Sequence, residues 1–147
     1  MVRALPCHGR GRGFESRRSR FIPGTTERVE LRGMNELASE HCEACEKGTP
    51  PLSEEEAAEL GTRAPQWQRE GNQRLRREFK FANFRDAFGF VARVALVAES
   101  EGHHPDIELG WGRAQFDLTT HAASGLTRND FVMAAKIDRL ASEGAAS

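Results

Sequence analysis

Apolar residues recur along this chain in two periods, and the switches between them mark out the elements. Ser53-Glu54-Glu55-Glu56 reads as a capping box, with the serine accepting from a first-turn amide and Glu56 reaching back. The helix it opens should end near Gly61, ahead of Pro65. Trp67 to Glu70 then reads as a short strand and Gly71-Asn72 as a hairpin turn. The next strand runs to Phe81, with Leu75, Phe79 and Phe81 on one face and Arg76, Glu78 and Lys80 on the other. Arg77 breaks the apolar side. Asn83 can cap a long helix in which Phe84, Ala87, Phe88, Val91, Ala95 and Ala98 predict the core-facing stripe. Phe90, Val94 and Val97 form a second apolar strip, to be covered by a subunit interface or by a longer first helix.

Ile107, Leu109 and Trp111 next alternate with Glu108 and Gly110, and Gly112-Arg113 turns the chain. Ala114, Phe116, Leu118 and Thr120 alternate in the following strand, and His121 sits where it ends. Gly125-Leu126-Thr127 opens a last helix, with Thr127 as cap, Asp130 at its third position and Met133, Ile137 and Leu140 buried. The order α-β-β-α-β-β-α predicts an α+β domain over residues 53–143: a four-stranded antiparallel sheet with three helices packed on one face.

The flanks read differently. Residues 34–52 are expected to be an N-terminal extension and linker, and 144–147 a disordered tail. Residues 1–33 show no periodicity, are rich in Gly and Arg, and carry a balance of +5, leaving −6 for the remainder of a chain whose net charge is −1. A basic arm, a transit peptide and sequence that is not native coding sequence compete for this segment. Gly13-Phe14-Glu15-Ser16-Arg17 is what a string resembling the T-arm of a transfer-RNA gene would encode. That favours the third reading, with Met34 as the native start. Any nucleic-acid role would rest on this segment alone, so it is disfavoured. No apolar run approaches the ~20 residues needed to span a bilayer. An odd number of cysteines (Cys7, Cys42 and Cys45) without a disulfide pattern suits a cytosolic setting. Cys42-x-x-Cys45 has the spacing of half a zinc site, but the other half is missing, which favours a structural or incidental role.

Candidate chemistry centres on Glu99-Ser100-Glu101-Gly102-His103-His104-Pro105. Adjacent histidines cannot share one face of a helix or strand, and the flanking Gly and Pro favour a loop. Beyond the N-terminal segments the histidines lie only here and at His121, which a locally closed second hairpin would bring near the loop. Glu99 could orient an imidazole; Asp130 could cap its helix or line the same pocket. Catalysis, zinc binding by three histidines and a purely structural role all remain open on spacing alone.

Glu99-x-x-x-His103-His104-Pro105, Trp111, Thr120-His121, Gly125-Leu126-Thr127 and Asp130, with Phe79-Lys80-Phe81, Asn83-Phe84 and Ala87-Phe88-Gly89-Phe90, resemble the pterin-4a-carbinolamine dehydratases over about Ser53 to Leu140. Two positions depart from the family's usual pattern: Gly112-Arg113-Ala114 follows the aromatic, and Asn129 stands where a basic residue is frequent. The resemblance implies that the chain removes water from tetrahydropterin hydroxylated at C4a, the product of aromatic amino acid hydroxylases, to give quinonoid dihydropterin. By that resemblance His103, His104 and His121 are the catalytic acids and bases. Glu99 and Asp130 are supporting residues, and Gly102 and Thr119, Thr120 and Ala122 contact the pterin. Imidazole, with an unperturbed pKa of about 6.5, can give or take a proton near neutral pH. No metal or cofactor is required. A homodimer or homotetramer is expected, with an aromatic amino acid hydroxylase as a further partner. The competing expectation is a non-catalytic module, a dimerisation cofactor or regulator, acting through the strip at Phe90, Val94 and Val97.

Overall fold

The alternating segments pair as their periods require. The computed structural model describes residues 25–145 and runs α1 (Thr25–Ser39), α2 (Glu54–Gly61), β1 (Gln68–Glu70), β2 (Arg74–Lys80), α3 (Phe84–Glu101), β3 (Asp106–Gly110), β4 (Arg113–Leu118) and α4 (Arg128–Ala145). The four strands form one antiparallel sheet in the order β1-β2-β4-β3. Pairing of Leu75 with Leu118, Arg77 with Phe116 and Phe79 with Ala114 puts these side chains on the face that the helices cover. The opposite face is polar; there Arg76 makes two bonds to the Asp117 carboxylate, at 2.7 and 2.9 Å. The architecture is therefore α+β with an antiparallel four-stranded sheet.

Aromatic rings hold the sheet to α3. Phe79 lies 5.0 Å from Phe90 and 5.8 Å from Phe116, and Trp67 meets Phe79 edge-on. Burying each such ring is worth roughly 1.5–3 kcal/mol. Arg77, the break in the strand pattern, lies 4.3 Å over the Phe79 ring. It pairs there with Asp138 of α4, which also accepts from the Trp67 indole at 2.9 Å. Burial pushes the Asp138 carboxyl up, against the pull of Arg77 and Trp67. An arginine on the apolar face thus answers a buried carboxylate across the core.

The predicted boundaries hold where they rest on local chemistry. Ser53 and Glu56 form the reciprocal capping box, and the Asn83 side chain accepts from the Asp86 amide. Two expectations need correction. The buried line of α3 is Ala87, Phe90, Val94 and Ala98, whereas Phe84 and Phe88 are 48% and 57% exposed and stack on each other. Phe90 takes the inward position because only that line meets Phe79 and Phe116. The strip expected to bind partners is therefore core.

The second correction is the helix count: the described residues contain four α-helices, not three. α1 crosses the expected boundary at 33/34 and packs its last turn, Leu37 and Ala38, into the core. Lys136 of α4 donates to the Ala38 carbonyl at 3.1 Å. The first 24 residues of the expected arm, and residues 146–147 of the expected tail, lie outside the described residues. α4 itself continues to Ala145. No helix among the described residues is long and apolar enough to cross a membrane.

Candidate active site

Two loops at one end of the sheet carry the histidines. Gly102 ends α3 in the left-handed region, at φ 64°, and its N–H closes onto the Ala98 and Glu99 carbonyls. His103 and His104 follow in an irregular loop and differ in burial: His103 is buried and His104 exposed. The second loop leaves β4 through Thr119 and Thr120 into a single 3-10 turn, His121–Ala123. It is fixed against the β1–β2 turn, with Leu126 N–H donating to Asn72 O at 2.7 Å and the Thr119 hydroxyl to Gln73 O at 2.8 Å. Gly125 permits that approach, because a Cβ there would stand 3.0 Å from the Asn72 carbonyl oxygen.

Between the loops lies an open cavity of about 260 Å³. Gly102, His103 and His104 form one rim, and Thr119, Thr120, His121 and Ala122 the other. The structure thus brings together seven of the nine residues singled out from the sequence. The remaining two, Glu99 and Asp130, stand behind the rim, each on an imidazole. Glu99 contacts His104 Nε2 at 2.8 Å on the outside, where both side chains are largely solvated. Asp130 contacts His103 Nε2 at 2.7 Å inside the protein and is fully buried.

The Asp130 contacts fix a direction for every proton around it. As a carboxylate it is acceptor only. Its Oδ1 therefore takes the His103 Nε2–H, and its Oδ2 takes the Thr127 N–H and the Thr120 hydroxyl, both at 2.8 Å. Thr120, having spent its one proton, accepts from the Thr127 hydroxyl at 2.8 Å. Asp130 thus serves the helix start and the His103 imidazole at once; of the two roles the sequence left open it takes the first, standing behind the cavity lining and not in it. In consequence His103 is held with Nε2 protonated, and Nδ1 is its other ring nitrogen.

Sequence reasoning missed a third contributor. Glu43, Cys45 and Asn129 also line the cavity, the first two from the segment read as a linker. Asn129 Oδ1 accepts from Glu43 N–H at 3.0 Å, and its Nδ2 donates to Glu43 O at 2.6 Å and to Cys45 Sγ at 3.2 Å. These contacts join residues more than 80 positions apart, so no local spacing could reveal them. Cys42 and Cys45 are free thiols. Burial, with Glu101 adding to it, pushes the Cys42 thiol up to about 12, so it stays protonated near neutral pH and packs as a small apolar group. Among the described residues no group of three or more His, Cys, Asp or Glu side chains is arranged to hold a metal ion.

An antiparallel sheet under helices thus carries, between two loops at its end, a cavity lined by three imidazoles. Comparison with known proteins gives the family. The chain belongs to the family described as pterin 4 alpha carbinolamine dehydratase, whose model matches residues 50–140. A relative from Rubrobacter xylanophilus, named "Putative pterin-4-alpha-carbinolamine dehydratase", is 50% identical over 107 residues, which is 73% of this chain and 100% of the relative. A relative of the same name from Methylococcus capsulatus is 44% identical over 108 residues, 73% of this chain and 95% of its own. The crystal structure of a transcriptional coactivator/pterin dehydratase from Brucella melitensis superposes with a TM-score of 0.58 at 38% identity, covering 62% of this chain and 98% of that one.

Proposed function

We propose that this chain dehydrates 4a-hydroxytetrahydropterin to quinonoid dihydropterin by histidine acid–base catalysis. The observation that carries the reading is the convergence of His103, His104 and His121 on one cavity in a member of this family. The C4a–O bond breaks as an imidazolium delivers a proton to the departing hydroxyl, which leaves as water. A second imidazole takes the proton from a ring nitrogen, and the electron pair released closes the double bond to C4a. His104, whose Nε2 meets the Glu99 carboxylate at 2.8 Å, suits the acid. His121, whose ring has no hydrogen-bond partner among the described residues, suits the partner acid or base. His103, gripped through Nε2–H by Asp130, offers Nδ1 in a fixed orientation. Gly102 and the 119–122 backbone supply contacts to the pterin.

General acid–base groups contribute roughly 10²–10⁴-fold. His104→Ala and His121→Ala should each slow dehydration by about that factor, after subtraction of the uncatalysed rate. Wild-type rates in both would defeat the assignment. In the cell this activity recycles the pterin of an aromatic amino acid hydroxylase, and hence serves phenylalanine breakdown in the cytoplasm.

A second reading, a protein-interaction module, is favoured by the exposed rings of α3. Phe84, Phe88 and Leu96 (73% exposed) stand where the expected strip does not. The occupant that fits is a second copy of this chain, giving a homodimer or homotetramer; a monomer by light scattering at micromolar concentration would contradict it. Full biological function in a variant without the three histidines would favour this module over the enzyme.

A further inference from the structure

The segment that precedes α2 crosses the cavity from one rim to the other. At its start, Cys42 N–H and His41 Nδ1 bond to Glu101, at 2.8 and 3.2 Å, immediately before the Gly102-His103-His104 turn. Glu101 is held in turn by Lys136 at 3.1 Å, and Arg128 grips Glu40 through two bonds of 2.8 Å. At its far end, Gly48 N–H donates to the Ala122 carbonyl at 3.3 Å, beside His121. Midway, the Asn129 amide clasps the N–H and the C=O of Glu43 together, an edge-like pairing that fixes the residue's orientation. Both bonds use the main chain; Glu43 lines the cavity, its carboxylate makes no hydrogen bond among the described residues, and its charge is felt by Arg128. This segment lies N-terminal to the stretch matched by the family model, which begins at residue 50.

We propose that Glu43, carried over the cavity by the Asn129 clasp, is a specificity-determining residue that takes the aminopyrimidinone end of the substrate. That end presents two parallel N–H donors, the 2-amino group and N3–H, and a carboxylate is the acceptor that matches such a pair in geometry and charge. A 2-oxo ring in place of the amino group would turn an oxygen lone pair onto the carboxylate and be rejected. Cys45, its sulfur held by Asn129 Nδ2, lines the wall beside it. The inference rests on the pterin reading of the site.

The test is equilibrium binding by the full chain of two stable probes, biopterin and the corresponding 2-oxo compound, a lumazine. Wild type should prefer the pterin. Glu43→Gln, an exposed and isosteric change, should lower pterin affinity about 10-fold and leave lumazine affinity unchanged or higher. Asn129→Ala, which frees the clasp, should reduce the same preference with Glu43 still present. Unaltered pterin affinity and selectivity in Glu43→Gln, with pterin still bound by wild type, would overturn this inference and leave the dehydratase reading standing. Failure of wild type to bind the pterin would overturn both.

Discussion

The two neighbouring imidazoles at the cavity live under opposite conditions. His103 and its carboxylate Asp130 are buried, and that carboxylate satisfies three donors at once. His104 and its carboxylate Glu99 stand in solvent as a lone pair, with side chains 60% and 81% exposed. The inner pair is one node of a network that also starts α4, so it cannot change without disturbing the fold. The side chains of the outer pair make no other hydrogen bond among the described residues. One dipeptide thus supplies both a fixed imidazole and an adaptable one, and burial, not residue type, separates them.

The largest expected effect breaks the inner side. Asp130→Ala leaves the Thr127 amide, the Thr120 hydroxyl and the His103 N–H unpaired, and should lower stability by about 3–5 kcal/mol in urea unfolding. A loss below about 1 kcal/mol would show that the network is not the anchor inferred here.

A smaller effect comes from Glu101, between the two pairs in chain position and below the surface. Burial opposes its ionisation, but the Cys42 amide, Lys136 and His41 together hold its carboxyl below the usual range. A depressed folded value contributes stability above the unfolded value of about 4 and loses it as pH falls through the folded value. Glu101→Gln should therefore cost about 2 kcal/mol at pH 7, and the gap from wild type should close in strong acid. A gap that widens on acidification would contradict this. Asp138 carries the opposite sign: raised by burial, its contribution is present at low pH and lost as pH climbs through the raised value.

The smallest effect belongs to the outer pair. Glu99→Ala should change stability by no more than about 0.5 kcal/mol, because an exposed ion pair is screened by solvent. Its consequence should appear instead as a modest fall in dehydration rate. A stability loss as large as that of Asp130→Ala would erase the distinction between the two pairs.

The same division governs what the sequence could disclose. Caps at Ser53 and Asn83, the hairpin turns and the strand alternation are set by residues a few positions apart, and each lies where its local chemistry puts it. The three rim histidines were legible because a Gly-His-His-Pro loop and a strand-end histidine announce themselves without tertiary information, whereas Gly102, Thr119, Thr120 and Ala122 were expected only from the family resemblance. The facing of α3 was not legible. Its two apolar strips are equally helical, and only the tertiary partners Phe79 and Phe116, on β2 and β4, select Phe90 over Phe84 and Phe88. α1 was hidden because it straddles the boundary drawn at 33/34, and Gly33 within it argues against a helix there. The Asn129–Glu43 clasp left no local signal, because its partners stand 86 positions apart.

The account's central claim is that imidazoles from two separate loops face one ligand. The direct measurement is a pterin titration of protein labelled with nitrogen-15 in its histidine rings. The ring resonances of His103, His104 and His121 should all shift along one saturation curve. Movement of the 103–104 pair with His121 unaffected at saturation would contradict the claim.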